Sequence, residues 1–273
     1  MAFVDTFVAE IISLQVALYH ARSRLEARTD PEALHDLRIT VRRIRSLLRP
    51  FRAMHEVTAL NEAAADVGRQ TTPARDLEVL IEELQQRGFP ELAQRRRARL
   101  NASYHAVVNG QPLKRLMAAL DAWPAGFRAA RSNGRLQHLE QKIRKTLNKQ
   151  VDRLHAAIAD TQFDRHQLRI LVKRTRYLTE AFPQLAPLSG NEAKLLKSLQ
   201  SALGSWHDHY LWSEQARVEK DLLPLMPVWS ACAAAQLEKA EVQLAQVASL
   251  LPKPSGPLKG GRDLKYFALQ QAV

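Results

Sequence analysis

The sequence is poor in cysteine, glycine and aromatic residues. Its single cysteine, Cys232, in 273 residues excludes a disulfide framework and a multi-cysteine metal site, and is typical of a reducing compartment. Ten glycines are few for a loop-rich barrel or a Rossmann-type cofactor fold. No Gly-x-Ser-x-Gly motif occurs, which argues against the serine nucleophile of an α/β-hydrolase. We therefore predict no catalytic residues, no cofactor and no metal site.

Targeting signals and long apolar runs are also missing from the sequence. The apolar N-terminal segment carries Asp5 and Glu10, and it has neither a basic leading region nor an Ala-x-Ala cleavage site. No uncharged apolar run approaches the roughly 18 residues that a membrane span requires. The sequence therefore predicts a cytoplasmic protein with no membrane partner.

Positive charge is the most prominent feature of the composition. Lys and Arg number 40 against 28 Asp and Glu, a formal net charge of +12, while 46% of the residues are hydrophobic. The apolar content is sufficient for a folded core. A strongly positive protein concentrates anions around itself, so we expect an anionic partner, which the net charge alone does not identify.

Apolar residues recur at helical spacing along most of the chain, and the prolines fall mainly between these segments. This pattern predicts an all-α protein. Boundary errors of roughly two to four residues are usual for such predictions. The predicted helices cover about 2–28, 31–54, 56–70, 73–87, 90–108, 111–122, 134–160, 164–182, 190–203, 206–222 and 227–250.

The chain contains an internal repeat. Residues 35–51 align without gaps to residues 166–182, at an offset of 131, and nine of the 17 positions are identical. Unrelated helices would share about one identity in such a window, so the match indicates a duplication. We predict a single domain over 1–252, with two helical-bundle halves at about 1–132 and 133–252. A basic C-terminal tail, 253–273, follows.

A weaker match follows each copy. Arg75-Asp76 in the first half corresponds to His207-Asp208 in the second, at an offset of 132. The pairs lie near the starts of the predicted helices 73–87 and 206–222.

Each copy of the repeat places its cations on one helical face. Residues three and four apart share a face, so two basic rows follow, with apolar residues on the adjacent face. Between Asp36 and Glu56, and again between Asp164 and Glu180, the chain has no acid. An acid-free row of cations is locally unfavourable, and arginine matches phosphate oxygens bidentately, so the rows predict polyanion binding. The first stripe is His35, Arg38, Arg42, Arg45 and Arg49, and the second stripe is His166, Arg169, Lys173 and Arg176.

Arg43 and Arg174 occupy the same position in the two copies of the repeat, and both lie off the stripes. We predict for each either a buried ion pair or a place on the far wall of a groove. The repeated Asp76 and Asp208 are candidate partners for them.

The duplicated pattern His-x-x-Arg-Ile-x-Val-[Arg/Lys]-Arg-x-Arg, with the Asp that follows each copy, resembles the CHAD family, the conserved histidine α-helical domain. The resemblance covers about residues 5–250. It implies two helical-bundle halves related by a pseudo-twofold axis around a basic central cleft or pore. It also implies binding of inorganic polyphosphate, association with bacterial polyphosphate granules, and no catalytic activity of the domain.

Carried over to this sequence, the resemblance implies a polyphosphate-binding set drawn from both signature helices and a later helix. Two departures from the family pattern, Thr72 and His207, are expected in turns away from the stripes. The Glu-x-Glu-x-Lys motif of a triphosphatase-type partner domain is absent from the sequence, which favours a stand-alone binding module. The implied set is His35, Arg38, Arg42, Arg43 and Arg45, then His166, Arg169, Lys173, Arg174 and Arg176, with Lys194 and Lys197 as additions.

Two alternative functions remain open from the sequence. The stripes would also hold a nucleic-acid backbone, although aromatic residues make up only 6% of the chain and form no base-stacking platform. His207-Asp208-His209 suggests a helical metal-dependent phosphohydrolase, but no second cluster with ligand spacing accompanies it. The oligomeric state is not predicted.

Overall fold

The computed structural model describes residues 2–252, and in this range the protein is all-α, as the sequence predicts. The predicted tail, 253–273, lies outside the described residues. Short 3-10 helices follow α2 at Arg49–Phe51 and α8 at Lys220–Leu225. The α-helices of the described range are α1 (Ala2–Ala27), α2 (Ala33–Leu48), α3 (His55–Gln86), α4 (Pro90–Asn109), α5 (Gln111–Ser132), α6 (Leu139–Ala159), α7 (Arg165–Ala181), α8 (Gly190–Val218) and α9 (Met226–Leu250).

The chain divides into two compact units, one ending at Leu139 and one beginning at Glu140. This boundary lies seven residues after the one expected from the repeat. It falls at the start of α6, where one helix of the second unit begins. The duplication and the predicted central cleft stay predictions.

Aromatic side chains form the core of the first unit. The ring of Phe7, on α1, contacts the rings of Phe51, Trp123 and Phe127 at centroid distances of 5.4, 5.9 and 5.6 Å. These four residues come from α1, the 3-10 helix after α2, and α5. Aromatic pairs at such distances contribute about 0.5–1.5 kcal/mol beyond their burial, so this cluster fixes α1 against the other helices of the unit.

Aliphatic side chains form the core of the second unit. Leu154 of α6, Leu168 and Val172 of α7, Leu199 of α8 and Leu244 of α9 belong to one buried cluster. Helix α7 carries the second stripe, and α8 faces it. Both helices are therefore anchored in the same core.

Helix α3 runs without a break where the sequence predicts two helices, 56–70 and 73–87. Pro73 lies inside it, and a proline in a helix interior costs about 3 kcal/mol. Val67 and Thr71 are fully buried before Pro73, and Leu80 is 2% exposed after it. Core packing on both sides of the proline outweighs its local cost, so the predicted break is wrong.

Helices α5 and α8 are also longer than predicted, for the same reason. Pro124 lies inside α5, which continues past the predicted end at 122 because Trp123, Phe127 and Ala130 are buried. The predicted gap between 203 and 206 is helical in α8, where Leu203 and His207 are buried. In both helices, the stabilisation from buried side chains exceeds the local cost of the helix-breaking residues.

The ends of the signature helices are set by their local sequences. Helix α2 ends at Leu48, and the predicted continuation to 54 is replaced by the 3-10 helix that contains Pro50. Asp164 caps α7 by accepting a hydrogen bond from the backbone N–H of Gln167 at 2.8 Å. Ser189 and Glu192 form a capping box at the start of α8.

The segment Phe3–Ala27 is long and apolar enough to cross a membrane by length and composition. Its side chains Phe7, Ile11 and Leu18 are 4% or less exposed in the first unit. The core helix of a soluble protein meets the same criteria, so this is weak evidence for a span. Because Asp5 and Glu10 interrupt the segment, it contains no long uncharged run and was not predicted from the sequence.

Candidate functional site

Helix α2 buries one face and leaves its basic face toward α3. Leu34, Leu37, Ile44 and Leu48 are fully buried, and Val41 is nearly so. Because these positions repeat every three or four residues, the helix is fixed in rotation about its axis. The cations of the first stripe are consequently held at a defined place on the first unit. Arg49 is an exception, since it lies in the 3-10 helix beyond the end of α2.

Arg38 is held by oxygen atoms of α3. Its Nη1 donates to the hydroxyl of Thr71 at 2.7 Å, to the hydroxyl of Thr72 at 3.2 Å and to the carbonyl of Gly68 at 3.3 Å. Burial lowers the pKa of Arg38, while the charge of Asp76 opposes this shift. An arginine stays protonated in proteins, so Arg38 presents a fixed positive charge.

Thr72 therefore contacts the first stripe, and the expectation that it lies in a turn away from it is wrong. Thr72 is in α3, and its hydroxyl both accepts from Arg38 and donates to the carbonyl of Gly68. Pro73 interrupts the local helical pattern, so the sequence did not reveal that Thr71 and Thr72 face α2.

His35 lies near the charge of Arg75, a cation outside the binding set predicted from the sequence. Burial lowers the pKa of His35, and the charges of Arg75 and Arg42 lower it further, while Glu32 and Asp36 raise it. The surroundings of His35 therefore favour its neutral form. The sequence carried a trace of Arg75 in the weak repeat at offset 132, but that repeat did not place Arg75 beside the first stripe.

Arg45 extends toward the only glycine of α3. A Cβ added at Gly68 would lie 3.4 Å from Arg45 Nη1. Desolvation lowers the pKa of Arg45, and the neighbouring charge of Arg69 lowers it further. Arg69 is itself paired with Asp66, so the carboxylate of Asp66 offsets part of the repulsion between Arg45 and Arg69.

Arg43 lies away from the first stripe and faces α1. It donates to the carboxylate of Glu10 at 2.8 Å, and its side chain is 61% exposed. The predicted buried ion pair is therefore wrong, and its partner is Glu10 rather than Asp76. Exposed pairs of this kind contribute about 0–1 kcal/mol to stability.

In the second unit, His207 of α8 faces the second stripe. The ring centroids of His166 and His207 are 4.7 Å apart. Burial and, to a smaller extent, the charges of Arg169, His166 and Lys173 lower the pKa of His207 to about 3. His207 lies in α8 and contacts His166, so the expectation that it lies in a turn away from the stripes is wrong.

Arg176, at the end of the second stripe, is held within a polar cluster. Its Nε donates to Gln200 Oε1 at 2.7 Å, its Nη1 donates to Glu180 Oε1 at 2.7 Å, and its guanidinium lies 4.5 Å from the ring centroid of Tyr177. The side chain is 14% exposed. Glu180 therefore neutralises much of the charge that the sequence assigned to this end of the stripe.

The remaining predicted residues differ in exposure. Arg174 is half-buried on α7, whereas Lys194 and Lys197 are exposed in the first turns of α8. Over residues 2–252, no group of three or more His, Cys, Asp or Glu could hold a metal ion.

Comparisons with known proteins agree with this architecture. A family model of the CHAD domain matches residues 11–217. The chain is similar to the crystal structure of the CHAD domain from the plant Ricinus communis, with 24% identity, 92% of each chain covered and a TM-score of 0.66. It is also similar to PptA from Streptomyces chartreusis, with 20% identity, 90% of this chain and 99% of that chain covered, and a TM-score of 0.56. At these identities the two structures show the fold alone. No curated protein matches the sequence.

Proposed function

Because this chain belongs to the CHAD domain family, we propose that it binds inorganic polyphosphate through the two basic stripes. One observation carries the proposal. The hydrogen bonds recorded for Arg38 go to two threonine hydroxyls and a backbone carbonyl, all of them neutral acceptors. This arginine is thus fixed by hydrogen bonds that leave its charge in place, in a row of cations with no interspersed acid.

The chemistry of polyphosphate suits such a surface. It is a linear chain with a negative charge on each phosphate and no bases to recognise. Each guanidinium contacts one or two phosphate oxygens through charge-assisted hydrogen bonds, and many weak contacts along one chain add up to a high affinity. Binding releases counterions, so affinity falls steeply as the salt concentration rises.

The proposed role is binding without catalysis, in the cytoplasm and at polyphosphate granules. Incubation with polyphosphate and Mg²⁺ or Mn²⁺ should leave the chain length unchanged on a gel. Shortening that His207→Ala abolishes would instead indicate a metal-dependent phosphohydrolase. A fluorescent fusion should colocalise with granules and disperse in cells that lack polyphosphate.

The direct test removes one cation from each stripe. The Arg42→Ala, Lys173→Ala double variant should lose at least tenfold in affinity for long-chain polyphosphate, because each charge-assisted contact contributes about 1.5–3 kcal/mol. The loss should shrink as salt rises. A matched control, Arg128→Ala with Lys220→Ala, removes the same two charges from exposed positions and should change affinity by less than about twofold.

Competition distinguishes polyphosphate from nucleic acid. Duplex DNA and RNA, at equal phosphate concentration, should fail to displace labelled polyphosphate from the wild-type protein. Displacement by either would make a nucleic-acid backbone the preferred ligand. An unchanged affinity in the double variant would separate the stripes from binding altogether.

A further inference from the structure

Helix α3 presents a cation, Arg75, beside the first stripe. Helices α2 and α3 follow one another through a short connection and pack side by side. Arg38 on α2 donates to Thr71 on α3, and Arg75 follows Thr71 by four residues, which places both on the same face of α3. On α2, His35 precedes Arg38 by three residues. The antiparallel register therefore puts Arg75 opposite His35.

The electrostatics of the first unit agree with this register. After desolvation, the charge of Arg75 is the largest influence that lowers the pKa of His35. It also lowers the pKa of Arg38, where desolvation is again the largest cause. Arg75 thus acts on the two residues that begin the first stripe.

A buried carboxylate holds Arg75 in this position. Arg75 Nη1 donates to Glu78 Oε2 at 2.9 Å, and Glu78 is 8% exposed. The hydroxyl of Tyr104, on α4, donates to the other carboxylate oxygen of Glu78 at 2.5 Å. Helices α3 and α4 together therefore fix the orientation of Arg75, in the way that outer residues orient the ligating residues of a site.

This arrangement positions Arg75 to bind an anionic ligand. A guanidinium carries five N–H donors, and the contact with Glu78 uses only part of that capacity. Glu78 also offsets the repulsion among Arg75, Arg38 and Arg42 while no ligand is bound. We propose that Arg75 is a direct phosphate ligand, which extends the polyphosphate-binding surface of the first unit from α2 onto α3. This inference rests on the proposed function.

The test compares Arg75→Ala with two controls, using long-chain polyphosphate at several salt concentrations between about 0.05 and 0.2 M. Arg75→Ala should weaken binding about tenfold, the effect of losing one charge-assisted contact. The slope of log affinity against log salt should become shallower by about one, as for the loss of one phosphate contact. Arg75→Lys should recover part of the affinity and the full slope, because lysine keeps the charge without the bidentate fork.

The controls separate contact from stability and from bulk charge. Tyr104→Phe removes the hydroxyl that holds Glu78 but leaves the charge of Arg75, so it should lower the melting temperature, weaken binding less than Arg75→Ala does, and keep the wild-type slope. Arg128→Ala removes an exposed cation of α5 and should change affinity by less than about twofold.

Each outcome is decisive. A wild-type affinity and slope in Arg75→Ala would overturn the role of Arg75 while leaving polyphosphate binding intact. Equal losses in Tyr104→Phe and Arg75→Ala would assign the effect to the structure of the network instead. A wild-type protein that does not bind polyphosphate would remove both the function and this role.

Discussion

The two signature helices begin alike and end differently. His35, Arg38 and Arg42 on α2 correspond to His166, Arg169 and Lys173 on α7. At the next position, Arg45 lies beside Gly68 and near the charge of Arg69. Its counterpart Arg176 is instead bound by Gln200 and Glu180. In the register of the repeat, Gln200 stands where the first unit has Gly68, and Glu180 stands where it has Arg49.

The facing helices differ at the other end as well. Arg75 on α3 corresponds to His207 on α8, and Thr71 and Thr72 correspond to Leu203 and Gly204. The first unit therefore keeps a permanent cation where the second has a buried histidine whose pKa is about 3. The same signature is thus faced by different side chains in the two units, and the facing helix sets how each stripe is held.

Among the variants that test this contrast, Glu180→Arg is expected to have the largest effect on polyphosphate affinity. It removes the carboxylate that binds Arg176 and gives the second stripe the residue found at position 49 of the first. Glu180 is exposed and lies near the end of α7, where a cation also suits the helix dipole. Affinity for polyphosphate should rise roughly five- to tenfold, about the effect of one charge-assisted contact, as measured by calorimetric titration.

Glu180→Gln is the control for that variant. It frees Arg176 without adding a cation and should give a smaller gain. An unchanged affinity in both variants would show that the end of α7 lies outside the path of the ligand.

The second effect is a pH dependence of stability that comes from His207. Its folded-state pKa of about 3 lies below the usual value of 6.5, so the unfolded chain takes up a proton first as the pH falls. The stabilisation is present above pH 6.5 and is lost progressively toward pH 3. The free energy of unfolding should fall between pH 7 and 5.5 by about 1 kcal/mol more in the wild type than in His207→Gln. Denaturant titrations at both pH values measure this difference, and parallel curves would contradict it.

The smallest effect is expected at Gly68. Gly68→Ala adds a Cβ that would meet only the flexible end of Arg45, at 3.4 Å. Replacing a helical glycine with alanine should raise the free energy of unfolding by about 0.5–1 kcal/mol, with polyphosphate affinity changed by less than about twofold. A loss of stability in chemical denaturation would mean that Arg45 cannot move aside.

Much of the fold could be predicted from periodicity. The segment 164–182 was expected to be helical, and α7 spans Arg165–Ala181, because its apolar face and its capping Asp164 are local features. The breaks expected at Pro73 and near Gly204 were wrong. A proline or a glycine costs only a few kcal/mol in a helix, and the buried residues around each supply more than that. Burial depends on the other helices, so local sequence could not reveal it.

The candidate site likewise has features that the sequence predicts and others that arise only when the helices pack. The two acid-free stripes follow from the sequence alone, since a repeat and a 3.6-residue period are enough to place residues on one face of a helix. Which groups hold each cation follows instead from the packing of the helices. That depends on residues far along the chain, such as Thr71 for Arg38 and Gln200 for Arg176. Such contacts arise when two helices pack, and a pattern within one helix carries no information about its neighbour.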